Sequence, residues 1–138
     1  MQVKGFGAGY LVDDVAATTR FYRDVIGLPV TVEIDWFASV NVGVPGYEIS
    51  FVRRGHESVP EGFRAQEAAG LALGLMVEDA KAEEARLREA GVEIVAPLVD
   101  EAYGQRHFYV QDNNGVLLDI IEPIAPDPEW LAANGLGG

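Results

Sequence analysis

The sequence predicts an α+β fold of two tandem βαβββ modules, and three observations predict it. "LVDDVAATTRFYRDVIGLPV" at 11–30 and "MVEDAKAEEARLREAGVEIV" at 76–95 follow one plan: Val, an acid, Asp, a helical stretch, a Gly and a β-branched run. Each copy is followed by further short apolar runs of strand length. Between the copies, "RRGHESVPEGFRAQEAAG" at 53–70 is charged and interrupted by Pro60 and glycines, the composition of a linker.

Module one, residues 5–54, opens with a strand over Phe6–Val12. Asp14 follows as N-cap, because its carboxylate can accept an orphan backbone N–H. The helix then runs to Ile26, with Val15, Tyr22, Val25 and Ile26 near one face and Gly27 as its stop. Strands are expected over Val30–Ile34, Ala38–Val42 and Tyr47–Val52, with "GVPG" at 43–46 as the last turn. The linker covers 55–70.

Module two, residues 71–123, repeats this order. Leu71–Val77 is a strand, Asp79 the cap, Ala80–Ala90 the helix and Gly91 the stop. Strands follow over Val92–Pro97, Gln105–Gln111 and Val116–Glu122, and "DNNG" at 112–115 is a tight-turn sequence because Asn and Gly tolerate positive φ. The tail at 124–138 is rich in Pro and Gly, and its Trp130-Leu131 pair is expected to dock, since an exposed Trp is costly. A module of roughly 50 residues buries too little surface alone, so the two are expected to share a core in a single domain.

Composition narrows the function. With 138 residues and 49% hydrophobic content the chain can form a packed interior. No run reaches the ~20 apolar residues of a membrane span, and "MQVKGFGAGY" has no signal-peptide layout. The absence of cysteine excludes disulfides, thiolate catalysis and Cys-type zinc sites. These features read as a cytoplasmic protein with no membrane partner. A net charge of −12, with no basic cluster beyond Arg53-Arg54, sets the surface against nucleic acid. The same excess serves solubility and attracts cations.

The stretches "LVDDVAATTRFYRDVIGL" and "GQRHFYVQDNNGVLLDIIEP", in this order and spacing, resemble the vicinal oxygen chelate superfamily: glyoxalase I, extradiol dioxygenases, and fosfomycin- and bleomycin-resistance proteins. The resemblance covers residues 5–123. It implies that the modules form a cupped mixed sheet with helices on the outer face and a ligand or metal inside, and it implies a homodimer. Metal-dependent members carry His, Gln or Glu at four positions on the first and last strands of the modules. Those positions match Gly7, Ser50, Ala72 and Asp119, with Glu48 in place of Ser50 if the register moves by two. Only Asp119 is a good ligand for a divalent ion, because Gly and Ala side chains supply no donor. The resemblance therefore implies a dismantled metal site, with no cofactor.

If those positions point into the cup, strand alternation brings Gly9, Glu48, Gly74, Met76, Leu117 and Ile121 with them. The opposite face holds Phe6, Tyr10, Val12, Ile49, Phe51, Leu73, Leu75, Val77, Leu118 and Ile120, as a face under helices should. Val30, Val32 and Ile34 alternate with Thr31 and Glu33, and Ala38, Val40 and Val42 with Ser39 and Asn41; Phe108 and Val110 alternate with His107 and Tyr109, which are left for the cup. Small residues on the inner face leave volume for a ligand, or let backbones approach closely.

Asp119, if buried without metal, needs a partner: a cationic ligand group, His107 or Arg106. His107 with Asp119 would form an acid–base pair at hydrogen-bonding distance. Trp36 and Phe37 at a bend and Tyr103 in a loop are rim aromatics able to stack a planar ligand, or to pack at an edge or dimer contact. His56, in the linker, is expected to face solvent. "GFGAG" at 5–9 lacks the second half of any phosphate-binding loop.

The reading that follows is a metal-independent small-molecule binding protein, similar to the bleomycin-resistance branch, that sequesters an aromatic or cationic compound such as an antibiotic. Its ligand-binding residues are Trp36, Phe37, Ser39, Glu48, Ser50, Met76, Tyr103, His107, Tyr109 and Asp119, with no catalytic residue assigned. The alternatives are a glyoxalase-type lyase or dioxygenase with a site displaced onto Asp119, His107 and Glu48, and a regulatory partner whose cup is filled from within.

Overall fold

The computed structural model describes residues 1–137, and in it each copy of the repeat folds as a strand, a helix and three further strands. The chain divides into two compact units. The first is Met1–Leu71 with Asp112–Val116; the second is Ala72–Gln111 with the chain from Leu117 onward.

In unit one, β1 (Phe6–Val12) pairs in parallel with β4 (Tyr47–Arg53), and β3 (Phe37–Asn41) and β2 (Val30–Glu33) complete a sheet of order β1-β4-β3-β2. The Asp14 carboxylate accepts the Ala17 N–H at 2.9 Å and starts α1 (Val15–Arg20). The sequence predicts α-helix to Ile26, but Phe21–Ile26 widens into a π turn in which the Gly27 N–H reaches the Tyr22 carbonyl at 2.9 Å. Val12, Tyr22, Ala38, Val40 and Phe51 form the fully buried core beneath α1.

Two predictions of facing fail here, one of them through a register irregularity. Val30 lies opposite Val40, but Val32 lies opposite Ser39, because an irregularity between them consumes one residue. A one-residue slip turns every later side chain over, so Val32 leaves the core face and is 42% exposed. Phe6 begins β1 on the core side in sequence, yet it is 66% exposed. The linker also holds more structure than expected: a 3₁₀ turn at Glu61–Phe63, and Arg64, whose Nε donates to the Val59 carbonyl at 2.7 Å.

Unit two has the order β5-β8-β7-β6, from β5 (Ala72–Met76), β6 (Ile94–Glu101), β7 (Gln105–Gln111) and β8 (Leu117–Pro123). Asp79 caps α2 (Ala80–Glu89) through the Ala82 N–H at 2.9 Å, and Glu122 accepts the Ala80 N–H at 3.0 Å. Leu87 of α2 is buried, as are Leu75, Phe108, Val110, Leu118 and Ile120 of the strands. Strand β6 runs on through Pro97, past the predicted end; it is the edge strand, where a missing N–H is tolerated. The tail contains α3 (Pro128–Ala133), capped by Asp127 with Pro128 in its first turn.

Among the described residues no helix is long and apolar enough to cross a membrane.

Candidate functional site

The parallel registers decide which residue corresponds to Asp119. Gly74 lies opposite Asp119 on β5–β8, and Gly9 lies opposite Ser50 on β1–β4. Gly9 and Gly74 each sit three residues before the Val of the repeated Val-acid-Asp stretch, Val12 and Val77. Ser50, not Glu48, is therefore the equivalent of Asp119. Glu48 lies opposite Gly7.

Asp119 stands at the centre of a polar cluster on the face of sheet two away from α2. It is mostly buried and lies opposite Tyr109 of β7. His107, two residues back on the same face and 3% exposed, places Nδ1 2.8 Å from Asp119 Oδ1 and Nε2 3.2 Å from Glu101 Oε1. A neutral imidazole has one N–H and would leave a lone pair facing one carboxylate; two carboxylates require the imidazolium. Burial opposes that charge, but the hydrogen bonds to Glu101 and then Asp119 outweigh it, and the His107 pKa lies above its ordinary value. Tyr109 faces Asp119 across the strands, and burial, followed by the Asp119 charge, raises its pKa. The cluster thus sets two carboxylates against one imidazolium and carries a net −1.

Aromatic rings border this charge. The His107 and Tyr109 centroids are 5.2 Å apart, Tyr103 meets His107 edge-on at 6.4 Å, and Trp130 of α3 lies 5.8 Å from Tyr103. The predicted residues Tyr103, His107, Tyr109 and Asp119 are brought together. Met76, on edge strand β5, is 67% exposed. Arg106, offered as a partner for Asp119, instead faces the other way and binds Asp100 at 2.7 Å and Glu122 at 3.2 Å.

Glu101 and Trp130 are the members that sequence reasoning missed. Glu101 is the last residue of β6, beyond two register shifts, so its face could not be counted from the start of the strand. For Trp130 a signal existed: Asp127-Pro128 is a helix-start pair that would have placed the ring on a helix.

The remaining predicted residues belong to unit one. Trp36 stacks on His56 with centroids 3.9 Å apart and planes 2° from parallel, and Phe37 lies 5.8 Å from Trp36. His56 is half-buried in this stack, contrary to its expected exposure. Ser39 lies opposite the half-buried Ser50; it is 1% exposed, and its hydroxyl has no hydrogen-bond partner. Glu48 is half-buried beside Asn41. A separate cavity of about 260 Å³ is lined by Asp13, Arg54, Asn113 and Asn114 among others, and by none of the predicted residues.

The metal that the resemblance implies for some members does not fit these donors. Gly7 and Ala72 carry none, and Asp119 is already bonded to His107. Among the described residues no group of three His, Asp or Glu side chains is arranged to hold an ion.

Two tandem βαβββ units, each with its own four-stranded mixed sheet, define a class of small α+β proteins. The chain belongs to the Glyoxalase/Bleomycin resistance protein/Dioxygenase superfamily, which it matches over residues 7–120. No curated protein matches it. Among solved structures it is similar to UcmS2, with 21% identity and a TM-score of 0.72 over 88% of this chain and 98% of that one. It is also similar to a glyoxalase/bleomycin resistance protein/dioxygenase from Nocardioides, with 19% identity and a TM-score of 0.71 over 90% and 85%. TioX from Micromonospora sp. ML1 has 20% identity and a TM-score of 0.72 over 88% and 100%. At such identities the likeness concerns the fold.

Proposed function

We propose that the chain is a metal-independent binding protein of the glyoxalase/bleomycin resistance type that sequesters an aromatic or cationic small molecule, such as an antibiotic. The ligand rests on the open face of sheet two. One observation carries this reading: Asp119, the only strong ligand at the four family positions, is engaged by His107 at 2.8 Å and faces Tyr109. A carboxylate so engaged, flanked by Tyr103 and Tyr109, suits an organic group better than an ion. A lyase or dioxygenase would need a free donor set, and the His107 donors are closed on Glu101 and Asp119. The protein is further proposed to be cytoplasmic and to act as a homodimer; light scattering of the purified chain decides its oligomeric state, and fractionation of cells its location.

The test is a thermal-shift screen of aromatic amines and antibiotics, with and without divalent metals. A ligand that binds only the folded state raises the midpoint, by about 3 kcal/mol of stabilisation at a hundredfold excess over Kd. The expected hits are unaffected by chelator and are lost in Tyr103→Ala. Stoichiometric metal in the purified protein, with binding abolished by chelation, would overturn the proposal.

A further inference from the structure

The C-terminal arm is fastened beside the cluster in a way that the core does not explain. The Asp127 N–H donates to the Ala102 carbonyl at 2.8 Å, and the Ile124 N–H to the Gly104 carbonyl at 3.0 Å, so the arm follows the turn between β6 and β7. That turn carries Glu101 at its start and Tyr103 at its centre. Yet α3 buries none of its residues. Its only aromatic side chain, Trp130, is half-buried and lies against Tyr103. A helix that adds nothing to the core, and holds its one large ring against a site residue, serves the site.

Charge on this face points one way. Beyond His107, unit two has four Lys and Arg side chains: Lys81, Arg86 and Arg88 on α2, and Arg106, which turns toward Asp100 and Glu122. None joins the cluster around Asp119. The rings of Tyr103, Tyr109 and Trp130 are uncharged and offer π faces, which attract cations by about 0.5–2 kcal/mol each.

We infer that the arm at 124–136 is a wall of the ligand site, and that Trp130, Tyr103 and Tyr109 enclose a planar aromatic cation whose charge is met by Asp119 and Glu101. This rests on the binding reading above and adds to it a residue outside the predicted set and a ligand class narrowed to the cation. The flat ring lies against Trp130 and Tyr103, and its positive nitrogen is directed to the carboxylate pair, which the single imidazolium leaves with a net −1. No bond is made or broken.

Three probes share one ring and differ in charge at neutral pH: 9-aminoacridine is cationic, acridine neutral and acridine-9-carboxylate anionic. Calorimetric titration of the full chain is expected to give a Kd for 9-aminoacridine on the order of tenfold below that of acridine, with no binding of the carboxylate. In a Trp36→Phe background, where Trp130 is the only tryptophan, 9-aminoacridine should quench the emission. Trp130→Ala should weaken its binding on the order of tenfold, whereas Trp130→Phe should largely retain it. Unfolding midpoints of the variants identify any loss that is merely structural.

Equal binding of acridine and 9-aminoacridine overturns the cation assignment. Unchanged binding in Trp130→Ala, with loss in Tyr103→Ala, overturns the role of the arm and leaves the open-face reading standing. Failure of all three probes on the wild-type chain overturns the inference, while the wider screen decides the binding reading separately.

Discussion

His107 is held between Asp119, 2.8 Å from its Nδ1, and Glu101, 3.2 Å from its Nε2. The pair His107–Asp119 joins adjacent strands β7 and β8, and Glu101 adds the end of β6. Their pKa relation fixes a pH dependence. A histidine whose folded pKa lies above its unfolded value binds its proton more tightly in the folded state. Its contribution is complete below the unfolded value of 6.5 and is lost as pH rises through the raised folded value. His107→Gln should therefore cost about 2 kcal/mol near the acidic side of neutrality, and less at alkaline pH. Thermal midpoints of both proteins across neutral pH check this; a constant difference would show that the imidazolium is not the stabilising species.

Unit one contains a second buried carboxylate whose role is structural. Asp112 Oδ2 accepts the Tyr10 hydroxyl and, at 3.0 Å, the Tyr22 hydroxyl, while Oδ1 accepts the N–H groups of Asn114 at 2.7 Å and Val116 at 2.9 Å. Every donor is matched, so the network pins the turn at 112–116, where Gly115 takes a φ of 81°. Asp112→Ala strands two backbone N–H groups and one tyrosine hydroxyl, because the Tyr10 and Tyr22 hydroxyls, 2.9 Å apart, can still bond to each other, at ~1–3 kcal/mol for each group that stays dry. The expected result in urea is a loss of at least about 3 kcal/mol for Asp112→Ala and about 1 kcal/mol for Tyr22→Phe. Near-neutral effects from both would show that water replaces the network.

The same network should be visible in alkaline titration. Burial first, and then neighbouring charge and hydrogen bonding, raises Tyr10 and Tyr22 above the ordinary tyrosine value of 10.0. Stability from such groups is present below that value and falls as pH rises above it, because unfolded tyrosines then ionise and folded ones do not. Of the five tyrosines, Tyr10 and Tyr22 should ionise only as the chain unfolds. Absorbance of tyrosinate recorded beside circular dichroism will separate the two phases. Smooth ionisation of all five before any loss of structure would contradict the placement.

The repeat made most of the fold legible. Asp14 and Asp79 announced both helices, and Gln105–Gln111 was readable to the residue, because capping and period-two alternation are local signals. Register shifts were not. They inverted the face of Val32 and concealed the approach of Glu101 to His107, since an irregularity is set by the partner strand and leaves no fixed mark in sequence. The site was half legible for the same reason: Asp119 and His107 share faces with counted neighbours, whereas Glu101 and Trp130 arrive from a shifted strand end and a short tail helix.

The arm itself offers the last test, through Gly104. Its φ of 104° belongs to glycine, and a Cβ there would lie 3.0 Å from the Ile124 oxygen and 3.3 Å from Pro126 Cβ. Gly104→Ala therefore meets two penalties, backbone strain and a clash with the arm, which together cost about 2 kcal/mol. The clash, though not the backbone strain, disappears if the arm leaves the turn, so the variant should release 124–136 without unfolding the strands. Hydrogen exchange should rise at Ile124 and Asp127, whose amides bond to Gly104 and Ala102, while the amides of β7 and β8 stay protected. Trp130 emission should shift to the red as the ring moves away from Tyr103. If exchange rises equally over the whole of unit two, the arm is part of the cooperative fold and not a separable wall.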